Sequence, residues 1–317
     1  MNFPVFDLHC DTASALLSHN DHQQKSLRSN SLHIDLERAK KLNAYAQCFA
    51  CFTTTLKELP QGVSVQDVFE RQLEVITQEI NRNQDLIRQA YTPEDIESNK
   101  ENGLMSAVLS IEGPAGFHFD YGLLENLYQI GFRISTLGWN ESNPLTGSHI
   151  TGEGLSEQGR AYVQEAQRLG MLVDVSHISD RAFWDIMDIT HAPIIASHSN
   201  SRSICAVSRN LTDDMYLAIC QTGGVVGLNA YANFLGEMPT LDTMCDHICH
   251  FLELDPSGTH IALGGDLDGC DVLAEDFCDV QGYLKLAQKL QERGLDDKMI
   301  YNIYWNNAIG VMKHCCM

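Results

Sequence analysis

The feature that most constrains this chain is a rhythm: short, nearly continuous apolar runs alternate with longer amphipathic stretches from one end to the other. Such alternation is the pattern of βα units laid around a parallel sheet. Eight runs read as strands: PVFDLH near residue 5, AYAQCFACF near 45, LMSAVLSIE near 105, GFRISTL near 132, GMLVDVSH near 171, APIIASH near 192, GGVVGLNA near 224 and HIALGGD near 260. Strands covered on both faces are apolar almost throughout, as most of these are. Helical patterns fill the gaps, including VQDVFERQLEVITQEINRNQDLIRQA from Val65, SEQGRAYVQEAQRLG from Ser156 and TDDMYLAICQTGG from Thr212. Ser156 and Thr212 suit N-caps, and Gly170 and Gly223 suit the stops that follow. No repeat, low-complexity tract or Pro/Gly-rich linker divides the 317 residues, so residues 1–317 are expected to form a single domain. The expected fold is α/β, a (β/α)8 TIM barrel, with a doubly wound open sheet the alternative that pattern alone leaves standing.

Charge narrows the partners. The chain sets 21 Lys and Arg against 42 Asp and Glu, for a net charge of -21, which argues against nucleic acid and anionic membrane surfaces. The N-terminus has no basic region ahead of an apolar one, no apolar stretch is long enough to span a bilayer, and the end GVMKHCCM lacks an anchor-like tail. A soluble, cytoplasmic protein is the expectation. Eleven cysteines, an odd number, read as reduced thiols rather than a disulfide framework. Cys48 and Cys51 form a C-x-x-C inside a strand-like run, where packing is favoured over redox chemistry or zinc.

In a parallel barrel the site is assembled at the C-terminal ends of the strands, so what each run ends in matters most. The runs end in FDLHCDT, SIEGP, DVSHIS, ASHSN and GGDLDG. Histidine and carboxylate together suit zinc or a similar divalent ion. By strand alternation His9 and Asp11 share a face and can hold one ion, with Asp7 on that face to orient His9. Glu112, stopped by Gly113 and Pro114, would sit at the rim, where a carboxylate can bridge two cations. His177 and His198 end neighbouring runs and could hold a second ion with Glu112. Asp266 is the candidate general base, and Asp268 shares its sidedness by alternation. Each feature alone has a bland explanation in an ordinary rim residue. Five strand ends converging on one face do not. His19, His22, His33 and His250 fall in loops or helix-like stretches and read as surface residues.

The ordered motifs H-x-D, E-G, S-H, S-H-S and G-G-D-x-D-G, spread from His9 to Gly269, closely resemble the renal-type membrane dipeptidase family of amidohydrolase-like, metallo-dependent hydrolase barrels. The resemblance covers almost the whole chain. It implies two Zn2+ ions per chain: His9 and Asp11 on one, His177 and His198 on the other, Glu112 bridging, and Asp266 handling the proton. It implies cleavage of dipeptides, some with a D-residue at the C-terminal side, by a hydroxide activated between the two zinc ions. HSNSRSICAVSRNLTDD resembles the family segment in which an arginine grips the substrate carboxylate, and Arg209 is the matching position. A guanidinium suits that role through two parallel hydrogen bonds. The chain departs from the pattern at Trp139, where the animal enzymes carry a histidine that contacts the substrate carbonyl. Trp139 packing on the substrate, Asn140 donating a hydrogen bond, or the metal alone would have to serve there.

Two further readings accompany this one. The same two-metal barrel could act on another amide or ester, such as an N-acyl amino acid, a cyclic amide or a lactone, because function lives in the site and not in the fold. A non-catalytic metal-binding relative is the other. The expected partner is a small peptide substrate, and at most a second copy of the chain in a homodimer. The loops HNDHQQKSLRSNS and GWNESNPLTGSHITGEG are expected to shape the pocket.

Overall fold

The computed structural model describes residues 3–17, 26–55 and 59–315. Its strands are β1 (Val5–Cys10), β2 (Tyr45–Phe52), β3 (Ile87–Gln89), β4 (Met105–Glu112), β5 (Phe132–Thr136), β6 (Leu172–Asp174), β7 (Ile194–Ile195), β8 (Val226–Leu228) and β9 (Ile261–Leu263). Neighbours pair in parallel in the order β7-β6-β5-β4-β2-β1-β9-β8, with β3 beside β4. A parallel bridge from Ala196 to Val226 brings the two ends together, so eight strands form a nearly closed barrel with helices between them. These eight coincide with the eight runs read from the sequence.

β3 is a correction. The helical pattern from Val65 was expected to run on to Ala90, but the helix Val65–Arg82 stops at Asn83 and residues 87–89 pair with the start of β4. Asn83 ends it locally: its side-chain amide donates to the Glu79 carbonyl at 2.8 Å, and its own carbonyl accepts from Leu86 and Ile87 at 2.8 and 3.0 Å. Ile87 is then fully buried, a placement that helical periodicity cannot anticipate. The other helix signals behave as read. Ser156 and Thr212 accept from the backbone N–H groups of Gly159 and Met215, and Gly170 ends its helix at φ 80°.

Side-chain alternation sorts the core into two layers. Phe6, Leu8, Val108, Ile134, Leu172 and Ile195 fill the barrel interior, which Trp305 and the C-terminal helix Asn307–Cys315 plug from below through Ala308, Ile309 and Met312. The other strand faces pack against the helices. Each large apolar side chain removed from water in this way stabilises the fold by roughly 1.5–3 kcal/mol. Cys48 lies in the inner layer and Cys51 in the outer, so the C-x-x-C cannot close on one metal or one disulfide. Among the described residues no helix is long and apolar enough to cross a membrane.

Strand β1 carries the irregularity that makes the site. Asp7 pairs with Gln47 but Cys10 with Phe49, so β1 spends three residues where β2 spends two. A bulge of this kind re-aims a side chain. Asp7 therefore does not share a face with His9. It points to the outer layer, where its carboxylate accepts from the Tyr283 hydroxyl, while its other oxygen takes the backbone N–H groups of His9 and Gly265 at 2.9 and 3.1 Å. It orients the His9 backbone, not the His9 ring.

Candidate active site

At the C-terminal mouth of the barrel His9, Asp11, Glu112, His177, His198 and Asp266 come together, each less than a tenth exposed. Glu112, the last residue of β4, stands in the middle. One of its oxygens lies 3.4 Å from His9 Nε2, and the other lies 3.2 and 3.8 Å from the Nε2 atoms of His177 and His198. Asp11 approaches His9 Nε2 at 3.5 Å and Asp266 at 3.9 Å. The backbone is unusual here too: His177 and Asp266 have φ of 70° and 56°, in the left-handed region that side chains with a Cβ rarely occupy. Outliers of that kind cost of order 1–3 kcal/mol each and gather at functional sites.

Hydrogen bonds behind the cluster fix which ring nitrogens are free. The Asn140 carbonyl oxygen can only accept, and it lies 3.0 Å from both His177 Nδ1 and His149 Nε2, so both rings must donate to it. Ser197 donates its one hydroxyl proton to Asp174 at 2.6 Å, which leaves His198 Nδ1, at 2.7 Å, as donor to Ser197. His177 and His198 thus both turn Nε2 lone pairs inward, and these atoms lie 2.9 Å apart. Burial and, next, the positive charges around them hold both rings far below the ordinary histidine range, so neither readily takes up a proton to relieve the contact.

The charges press toward the same conclusion. Burial, reinforced by the charge of Asp11, pushes the Glu112 carboxyl up to about 7, and burial pushes Asp266 up to about 6. For His9 burial works against charge, but the carboxylates of Glu112 and Asp11 outweigh it and raise the ring well above its usual value. His9 Nε2, Asp11 Oδ1 and Glu112 Oε2 are buried with no hydrogen-bond partner among the described residues. Buried polar groups are almost always satisfied, and orphans of this type call for a missing partner. Inward lone pairs and carboxylate oxygens in one shell are a donor set for divalent cations. His9, Glu112 and His198, and again His9, Asp11 and Asp266, offer donor atoms within 4.8 Å of one another.

Residues 1–316 match the profile of the membrane dipeptidase family, peptidase family M19. The chain belongs to the membrane dipeptidase family. An uncharacterised dipeptidase of Schizosaccharomyces pombe is 30% identical over 98% of this chain and 81% of its own length. A metallopeptidase of Rhodobacter sphaeroides, crystallised with a phosphinate mimic of the dipeptide L-Ala-D-Ala, superposes with a TM-score of 0.87 at 23% identity, covering 99% of this chain and 100% of that one. The probable dipeptidase PvdM of Pseudomonas aeruginosa superposes at 0.88 with 18% identity, over 99% and 96% of the two chains.

Around the cluster of this membrane dipeptidase family member, the remaining expected residues take definite places. Arg209 is buried. It donates to Ser199 Oγ at 2.7 Å and to the His198 carbonyl at 2.9 Å, and among the described residues its Nε has no partner and no carboxylate comes within ion-pair distance. Burial lowers its pKa to about 10. Trp139 is half-buried, packs edge-on to Phe52 at 5.2 Å, and with Phe52, Asp11, His33 and Asp268 lines a cavity of about 360 Å³ that opens beside the cluster. Asn140 lies behind His177. Asp266 and Asp268 diverge, because both have positive φ and strand alternation no longer applies. Asp268 accepts from Thr12 Oγ1 and the His33 backbone N–H, each at 2.6 Å, and so is occupied, whereas Asp266 is held by Asn229 at 3.2 Å through one oxygen and turns the other to His9.

His33 is a correction. Its side chain is only 28% exposed, accepts from the Asp268 N–H at 3.0 Å and lines the cavity. His19 and His22 lie outside the described residues. His149, Asp174 and Ser197 were missed. Ser148-His149-Ile150 repeats the Ser176-His177-Ile178 triplet, and Asp174 is an acid inside an apolar run, so both left a trace in the sequence.

Proposed function

We propose that this chain is a metal-dependent dipeptidase that holds two zinc ions, one by His9 and Asp11 and the other by His177 and His198, with Glu112 reaching both. The observation that carries the reading is the placement of Glu112, one oxygen toward His9 and the other toward the facing lone pairs of His177 and His198. Two such ions, when bound, supply a water ionised near neutral pH and a Lewis acid for the carbonyl. The chain's own residues do the rest. Arg209, a buried guanidinium without a carboxylate partner among the described residues, binds the free carboxylate of the substrate and so sets the length of peptide that fits. Phe52 and Trp139 wall the cavity against the substrate side chain and exclude water. Asp266 takes the proton of the attacking water on the oxygen that faces His9 and returns it to the departing amine, while Asn229 holds its other oxygen.

The test is hydrolysis of L,L and L,D dipeptides, a tripeptide and an N-acyl amino acid by the zinc-loaded protein, with and without chelator. Chelator-sensitive cleavage confined to dipeptides is expected. Cleavage of the N-acyl amino acid alone would keep Arg209 and the metal site but replace the substrate. Inertness toward the whole panel would refute the reading.

A further inference from the structure

At the opposite end of the barrel, three potential ligands converge from three separate elements. Cys220 lies in the last turn of the helix Asp213–Gln221, Asp255 follows the helix Leu241–Leu254, and His260 precedes β9. Their ligand atoms all lie within 4.8 Å of one another, and all three residues are half-buried. His260 Nδ1 is 2.7 Å from the Gly224 carbonyl, which can only accept, so the proton sits on Nδ1 and Nε2 is left with its lone pair. Asp255 is held in place by Ser257, whose N–H and hydroxyl donate one bond to each carboxylate oxygen at 3.1 and 2.8 Å and leave lone pairs free on both.

A fourth side chain bears on the same cluster. The Tyr216 side chain, one helical turn before Cys220, is fully buried, and among the described residues the Cys220 sulfur is the one group its hydroxyl can donate to. A buried hydroxyl beside a neutral thiol has little to donate to; beside a thiolate it has a strong acceptor. The arrangement is not that of a nucleophilic cysteine, because the bond of His260 to Gly224 leaves Asp255 no part in orienting that ring.

We propose that Cys220, Asp255 and His260 form a further metal site for zinc or a neighbouring thiophilic divalent ion, with Tyr216 donating to the Cys220 sulfur. One sulfur, one imidazole and one carboxylate give three protein ligands, and solvent completes a tetrahedron. The site lies at the base of the barrel, remote from the catalytic cluster. It would clasp the end of one outer helix to the loop that leads into β9.

Cobalt separates this site from the catalytic one, whose proposed ligands include no sulfur. The full chain, stripped with chelator and reloaded with Co(II), is expected to show thiolate-to-cobalt charge-transfer absorption and one more equivalent of bound metal than Cys220→Ser. Cys220→Ser and His260→Gln should both lose that equivalent while keeping the native near-ultraviolet circular dichroism, and Tyr216→Phe should keep the equivalent but bind it about 10-fold more weakly. No charge-transfer band in the parent chain, or a band unchanged in Cys220→Ser, would overturn the proposal.

Discussion

His177 and His198 face each other Nε2 to Nε2 at 2.9 Å, both with lone pairs inward, because Asn140 and Ser197 have fixed the protons on the far side of each ring. The contact is repulsive until a cation enters. Partners behind ligating histidines typically matter 10- to 100-fold for metal affinity, so Asn140→Leu is expected to weaken zinc binding at His177 by about that factor. Competition with a chromophoric chelator reads the change directly. An unchanged affinity would remove Asn140 from the metal site and return it to the substrate.

Arg209 is expected to act on binding. Charged hydrogen bonds contribute about 1.5–3 kcal/mol, so Arg209→Ala should raise KM for a dipeptide roughly 10- to 100-fold with kcat much less affected. A dipeptide amide, which lacks the carboxylate, should be hydrolysed equally poorly by parent and variant. Lysine should not restore the parent, since it offers a point charge in place of a planar fork.

The barrel and the meeting of its candidate ligands at one end were legible in the sequence for one reason. Strands buried on both faces write continuous apolar runs, and the fold obliges the site to follow their C-terminal ends, so His9, Glu112, His177, His198 and Asp266 could be picked out in order. What could not be read depends on local breaks in regularity. The bulge in β1 turns Asp7 away from His9, and the positive φ at Asp266 and Asp268 sends their carboxylates to different partners, although alternation treats each pair as equivalent. His149 comes to Asn140 through a long loop whose path no periodicity encodes.

Zinc binding should be pH-dependent with a definite sign. Glu112, raised to about 7, and His9, also raised, hold protons in the metal-free protein that a cation must displace, whereas His177 and His198, both lowered, carry none. Affinity is therefore expected to fall as pH drops below about 7, with protons released on binding. Calorimetry at pH 6 in buffers of different ionisation enthalpy measures that release, and a buffer-independent heat would contradict the assignment.

Asp266 and Asp268 offer the sharpest contrast, since they lie two residues apart and the sequence treats them alike. Asp266 turns a free oxygen to His9, so Asp266→Asn should keep its bound metal but lose about 10²–10⁴-fold in kcat, the usual contribution of a positioned proton carrier. The parent's acidic limb in kcat/KM should lie no higher than about pH 6, because burial raises the Asp266 carboxyl to that value and a bound cation can only lower it. Asp268 instead ties Thr12 and His33 to the mouth of the barrel. Asp268→Asn should cost about 1–3 kcal/mol of stability, seen as a lower Tm, while the proton-transfer step persists. If instead Asp268→Asn abolished turnover with its Tm intact, and Asp266→Asn were active, the two roles would have to be exchanged.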